Sequence, residues 1–240
     1  MNCIKAKPKV AILELKGKIG VDCELSFKRI RPSIDKAFSK INLKAVCIVI
    51  NSPGGSAVQS ELIAKYLLLK SQKTGVPLYS LVEHCAASGG YLIACAARKI
   101  FVCQYSVVGS IGAVIVSYSV EELLAKLGIQ PLVLTAGQRK GGLNPLVTPS
   151  QEQLDDTRKL LADCHASFIS WVETRREGRL RDLQGDKEDI FSGAIFSGVC
   201  HPNDSAPASP SSAPITDSVT PCSPDSTPPC LDPGRGAGTG

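Results

Sequence analysis

Residues 45–50 read AVCIVI, six apolar residues with no polar break, and Asn51-Ser52-Pro53-Gly54-Gly55 follows at once. A run so short, rich in β-branched residues and closed by a Pro-Gly turn, reads as a strand buried on both faces. Ser56 and Gln59 then offer a capping box for a helix reaching about residue 70. The same order recurs downstream. A strand over 78–82 leads to the corner Ala86-Ala87-Ser88-Gly89-Gly90-Tyr91 and a helix over 88–97. Further strands are expected at 10–15, 100–103, 111–117 and 132–135. Helical spacing over 25–38 contains Pro32, which should kink the helix or divide it in two. Ser119 with Glu122 should cap a short helix ending at Gly128, and Ser150 with Gln153 a long charged one reaching about residue 176. Strands and helices alternating in this way favour an α/β fold with a largely parallel sheet.

Composition sets the domain limits. Of the 240 residues 43% are hydrophobic, enough for a real core, but residues 201–240 hold nine prolines, seven serines and hardly any large apolar side chains. Such a stretch cannot bury enough surface to offset its ordering entropy. The expected organisation is one domain over 1–199 and a disordered Pro/Ser-rich tail over 200–240. The net charge of +5 is spread thinly, only 5% of residues are aromatic, and no run of five or six basic residues occurs, so no nucleic-acid surface is indicated. Residues 1–9 carry three lysines and no apolar stretch, and no later segment offers the run of about 18 apolar residues that a membrane span needs. The expectation is a soluble chain of the cytoplasm or an organelle. Ten cysteines are present without any C-x-x-C pair, which predicts buried, reduced thiols and no metal or other cofactor.

Two glycine-rich turns could carry chemistry. Around Gly54 and Gly55, backbone N–H groups and the following helix N-terminus make a nest for a phosphate or an oxyanion, though the Gly-Lys-Ser/Thr ending of a P-loop is missing. Ser88 at a strand-to-helix corner flanked by small residues would present its hydroxyl outward, with the Gly89 N–H aimed at a developing oxyanion. Taken alone, the first is equally a plain turn, and a serine is a common helix cap. A nucleophile needs a base. His84 lies only four residues before Ser88, His165 sits in the long charged helix, and His201 opens the tail, so a Ser-His-Asp triad is poorly supplied. Lys140 occupies a glycine-flanked loop and is the remaining candidate, although a surface role is equally compatible with its spacing. Acting as a base near neutrality requires its pKa to fall by about three units, a cost near 4 kcal/mol.

At this point the residues resemble the signal peptide peptidase A and SohB family of serine peptidases. The matching segments, in order, are Val10-Ala11-Ile12-Leu13, Asn51-Ser52-Pro53-Gly54-Gly55, Ala87-Ser88-Gly89-Gly90-Tyr91, Gly109-Ser110-Ile111-Gly112-Ala113 and Gly137-Gln138-Arg139-Lys140. The resemblance implies a Clp protease/crotonase-like spiral of strands and helices, no cofactor, and a peptide substrate such as a signal-peptide remnant. It implies Ser88 as nucleophile, Lys140 as base, and Gly54, Gly55 and Gly89 as the oxyanion hole. In that family serine and lysine meet across a subunit or domain boundary, so a homo-oligomer is implied. The family's membrane anchor before the first strand and its helix and strand after 195–198 find no counterpart here, which predicts an altered C-terminus. Two other readings stay open: an inactive interaction subunit of the same fold, and a crotonase-like acyl-CoA enzyme needing a carboxylate in its pocket.

Overall fold

The computed structural model describes residues 7–137, 139–177 and 187–198; the expected tail lies outside these. Strands β1 (Lys9–Lys16), β2 (Leu43–Ser52) and β3 (Leu78–Ala87) run parallel and adjacent. Helix α1 (Phe27–Phe38) joins the first pair and α2 (Ala57–Thr74) the second. After α3 (Gly89–Ala94), β4 (Lys99–Val102) pairs in parallel with the first half of β3. Strand β5 (Val107–Gly109) then pairs with its second half. The chain closes the sheet with α4 (Glu121–Lys126), α5 (Gln151–Arg175), α6 (Lys187–Ile190) and the antiparallel β6 (Ile195–Ser197), which pairs β5. The expected α/β class with a largely parallel sheet is present.

Alternation within the strands places the core. Ala11, Leu13 and Leu15 of β1, Val46, Ile48 and Ile50 of β2, and Leu78 and Val82 of β3 are buried on one face, against Ile34 of α1 and Ile63 and Leu67 of α2. On β2 the residues between them are only half-buried, so the expectation of burial on both faces holds for one face fully and the other in part. The cysteines divide likewise: Cys95 is buried and Cys23, Cys47 and Cys85 half-buried, whereas Cys103 and Cys164 are exposed, against the expectation for them. Burial pushes the Cys47 thiol pKa up.

Several local expectations changed for identifiable reasons. Helix α1 runs unbroken through Pro32 rather than dividing there. Ser56 caps α2 by accepting from the Gln59 N–H at 3.4 Å, but the capping box is incomplete. The Gln59 side chain instead accepts from the Phe27 N–H at 2.8 Å, satisfying one of the orphan donors of α1 and tying the two helix starts together. The Ser150–Gln153 box is complete. Ser119 does not cap α4. Val120 holds that position, and α4 is pinned by the Glu121 carboxylate, which accepts from the Thr148 N–H and hydroxyl.

The strands expected at 111–117 and 132–135 are not strands. Pairing with β3 stops at Gly109, where φ is +101° and Ser110 follows at +55°. Beyond that break the run finds no neighbouring strand among the described residues. Val114, Val116, Tyr118, Leu132 and Leu134 are each at least 70% exposed. β-propensity describes fitness for a pleated, half-buried surface, and without a partner edge it forms nothing.

Helix α5 anchors at its far end. Its buried residues Phe168 and Val172 meet the core, and the Trp171 Nε1–H donates to the Leu92 carbonyl at 3.0 Å. Arg175 donates to Cys95 and Ala96, and the buried Arg176 to Ala94 and Ala97. These carbonyls lie at and just beyond the end of α3, where Ala94 also accepts from the Ala97 N–H at 3.1 Å. Arg176→Leu removes the guanidinium donor to Ala94 and Ala97, and a carbonyl left unpaired costs about 1–3 kcal/mol. The substitution is expected to lower stability by roughly 2–4 kcal/mol in urea unfolding.

Candidate active site

The carboxyl ends of β1, β2 and β3 converge on a crossing of two backbone segments. Strand β3 ends at Ala87, and Ser88 turns the chain into α3 with φ +50° and ψ −120°. A serine held there is a sharp strand-to-helix elbow, a conformation that L residues adopt only when their surroundings enforce it. The enforcing contacts are visible. The Ser88 N–H donates to the Gly109 carbonyl at 2.8 Å, and the Ser88 carbonyl accepts from the Leu92 N–H. From below, Gly54 presses against the corner: a Cβ there would lie 2.7 Å from the Ala87 carbonyl oxygen, 2.8 Å from Gly89 N and 2.9 Å from Ser88 Cβ. Gly90 abuts the Ser52 carbonyl and Gly89 the Ser60 hydroxyl with similar closeness.

Backbone donors face this corner. Ile19 and Gly55 form a parallel bridge in which the Ile19 N–H donates to the Gly54 carbonyl and the Ser56 N–H to the Ile19 carbonyl. In that pattern the N–H of Gly55 points away from Ile19, and no group among the described residues accepts from it. Gly89 opens α3, where the N–H has no helical partner. Gly54 differs, because its N–H donates to the buried Ser52 hydroxyl at 3.1 Å. Of the three glycines expected to form an oxyanion hole, Gly55 and Gly89 keep donors to offer, and Gly54 supplies the clearance.

Ser88 and Gly89 lie at the wall of a groove of about 650 Å³. That volume is typical of a ligand cleft. Its other walls are largely apolar, with Val58 from α2, Leu92 from α3, Val114 and Ile115 from the unpaired segment, and Leu160, Phe168 and Trp171 from α5. Two residues that sequence reasoning overlooked also line it, Cys164 and Trp171. Trp171 was findable as the single tryptophan on the apolar stripe of a charged helix. His165 is held elsewhere, its Nε2 3.0 Å from the Ile111 carbonyl, which ties α5 to the segment forming the opposite wall. Glu61 and Asp163 reach the rim, so the carboxylates that a crotonase-like reading requires do occur there. Glu61 is paired with Lys65 at 2.5 Å.

Lys140 is not among the groove residues. It lines a separate shallow cavity with Ala136, Gly137 and Arg139. Arg139 fixes that loop to the start of α5, donating to Glu152 at 2.8 Å and Asp156 at 3.1 Å. Helix α3 docks near the other end, at Trp171, while Leu160, one turn beyond Asp156, already belongs to the groove wall. Ser88, Gly55 and Gly89 line one groove, and Lys140 lines another cavity. A second cleft, lined by Val76, Pro77, Ala97 and Arg98, lies at the amino end of β3. Open α/β sheets bind ligands at the opposite, carboxyl ends, where Ser88 sits.

Residues 70–197 match the model of peptidase family S49, a stretch that contains both Ser88 and Lys140. The chain belongs to that family. It is 33% identical over 156 residues to the putative signal peptide peptidase SppA of Enterococcus faecium, covering 65% of this chain and 44% of that protein. It is also 41% identical over 166 residues to a portion of the Na(+)/H(+) antiporter NhaA of Brucella melitensis, 69% of this chain but 22% of that protein. The chain spans less than half of either relative. No helix among the described residues is long and apolar enough to cross a membrane. Among solved structures, a mutant of the 1510-N membrane-bound stomatin-specific protease matches with a TM-score of 0.48 at 18% identity, over 80% of this chain and 74% of that one.

The backbone crossing can be tested on its glycines. At Gly54, φ is +94° and a Cβ has no room, whereas Gly75 at φ +68° has nothing within 4 Å. Gly54→Ala is expected to cost about 2–4 kcal/mol from overpacking and backbone strain. Gly75→Ala should cost only about 1 kcal/mol in the same thermal unfolding measurement.

Proposed function

We propose that the chain is a serine endopeptidase whose Ser88 hydroxyl attacks the carbonyl of an apolar peptide lying in the groove. The observation that carries this is the strained elbow at Ser88, beside the uncommitted N–H groups of Gly55 and Gly89 and open to an apolar cleft. Donors fixed by backbone crossing need no reorganisation when an oxyanion develops, which is how such holes lower a barrier. Membership of a peptidase family supports the same reaction.

The base in this reading is Lys140 of another copy of the chain. Two observations support that. Lys140 lines a separate cavity and is not among the lining residues of its own chain's groove. The apolar residues Val114, Val116, Leu132 and Leu134 are exposed, and apolar surface of that kind suits burial against a further subunit. Contacts that place one patch against a different patch generate rings. Across such a contact, the uncharged Lys140 amine accepts the Ser88 proton as Oγ bonds to the carbonyl carbon. The oxyanion is held by Gly55 and Gly89, and Lys140 returns the proton to the departing amine. Water deprotonated by the same lysine then hydrolyses the acyl-enzyme. Apolar walls favour apolar side chains in the substrate, as in the remnants of signal peptides.

Hydrolysis of a fluorogenic apolar peptide tests the scheme, with oligomeric state followed by size-exclusion chromatography. Ser88→Ala and Lys140→Ala should each be inactive alone. Mixed, dissociated and reassembled, they should regain roughly a quarter of the wild-type rate, the fraction of junctions that pair an intact serine with an intact lysine. Two inactive variants that stay inactive after verified mixing would remove the shared site, and undiminished activity of Ser88→Ala would remove the nucleophile.

A further inference from the structure

We infer that Arg139 is a positioning residue for the base: it clamps the Lys140 loop to α5 and so sets where the amine is presented. This rests on Lys140 being the base. The loop over residues 136–142 contains three glycines, and its described residues form no strand or helix. Left to its backbone it would sample many conformations, because glycine restricts φ and ψ least. The Lys140 N–H donates to the Gly137 carbonyl and the Asn144 N–H to the Gly141 carbonyl, each at 3.1 Å and both local. What fixes it to the body is the guanidinium next door. Its Nη2 meets Glu152 Oε1 and its Nη1 meets Asp156 Oδ1, so one side chain spans two carboxylates one turn apart on α5. A planar fork with two separate partners fixes orientation as well as distance, which a single ammonium cannot do.

Holding Arg139 on the helix limits where the adjacent Lys140 can be presented. All three side chains of the clamp are at least 41% exposed, so it contributes little to global stability and its removal leaves the fold in place.

The experiment measures kcat and KM separately for the full chain acting on a fluorogenic apolar peptide. It compares wild type with Arg139→Ala, Arg139→Lys, Lys140→Ala and, as a charge control on the same helix, Arg158→Ala. Arg139→Ala should lower kcat by about 10- to 100-fold, as a misplacement near 1 Å does, with KM changed by less than about twofold. Arg139→Lys should recover part of kcat, and Arg158→Ala should match wild type. The inference is overturned if Arg139→Ala keeps its kcat, or loses activity only in proportion to folded protein with Arg139→Lys recovering none of it. If Lys140→Ala is inactive in that same series, the clamp alone has failed. If Lys140→Ala is as active as wild type, the assignment of the base has failed and the clamp with it.

Discussion

Two stretches of backbone pass closer to each other at the carboxyl end of this sheet than side chains would allow. Gly54 lies against the Ala87 carbonyl, Ser88 Cβ and Gly89 N, and Gly90 lies against the Ser52 carbonyl. That contact accompanies the unusual φ of Ser88, and it sets Gly55 and Gly89 along the same groove as Ser88. Burial of the β2 and β3 strands supplies the free energy that holds it. Ile48, Ile50, Leu78 and Val82 are essentially inaccessible, and each such side chain contributes about 1.5–3 kcal/mol relative to exposure. A strained residue of this kind costs about 1–3 kcal/mol. The core beneath is amply able to maintain it.

Helix α5 does two jobs with its two ends. Near its C-terminus it is part of the body, where Trp171, Arg175 and Arg176 donate to carbonyls of α3 and of the turn that follows it. Near its N-terminus it stands largely in solvent and carries the loop of Arg139 and Lys140. The middle of the same helix supplies one groove wall through Leu160, Cys164 and Phe168. Few buried residues anchor so long an element, so its placement leans on hydrogen bonds from Trp171, Arg175 and Arg176 to carbonyls of residues 92–97 and on the contact of His165 with the Ile111 carbonyl.

Much of this was legible before any coordinates. The strand–turn–helix units around Gly54 and Ser88 declare themselves because each part has a strong local cause: continuous apolar runs, glycines at forced conformations, a serine three residues ahead of a glutamine. What could not be read was pairing. Nothing local distinguishes the run 107–109, which finds β3 and β6, from the run 111–117, which finds no edge. Side-chain diversion was equally hidden: Gln59 has the right spacing for a capping box, yet a donor 32 positions away outcompetes it. The difference between Gly54, whose N–H is used by Ser52, and Gly55, whose N–H is not, depends on a bridge to Ile19 that only the folded chain creates.

Strand β3 has two successive partners on one edge, β4 along residues 79–82 and β5 along residues 85–87. Where it changes from one to the other, the buried Ser106 hydroxyl reaches the carbonyls of Val82 and Glu83 and fills the gap. The sheet is therefore forked rather than continuous, and the two tines have separate mechanical lineages. One tine, β4, is bonded into the hydrophobic interior through β3. The other, β5, carries the Gly109 carbonyl that grips Ser88 and leads directly into the groove wall. A displacement of that wall by an occupant therefore reaches the elbow through three residues of β5, whose Val108 sits in the hydrophobic core, without passing through β4.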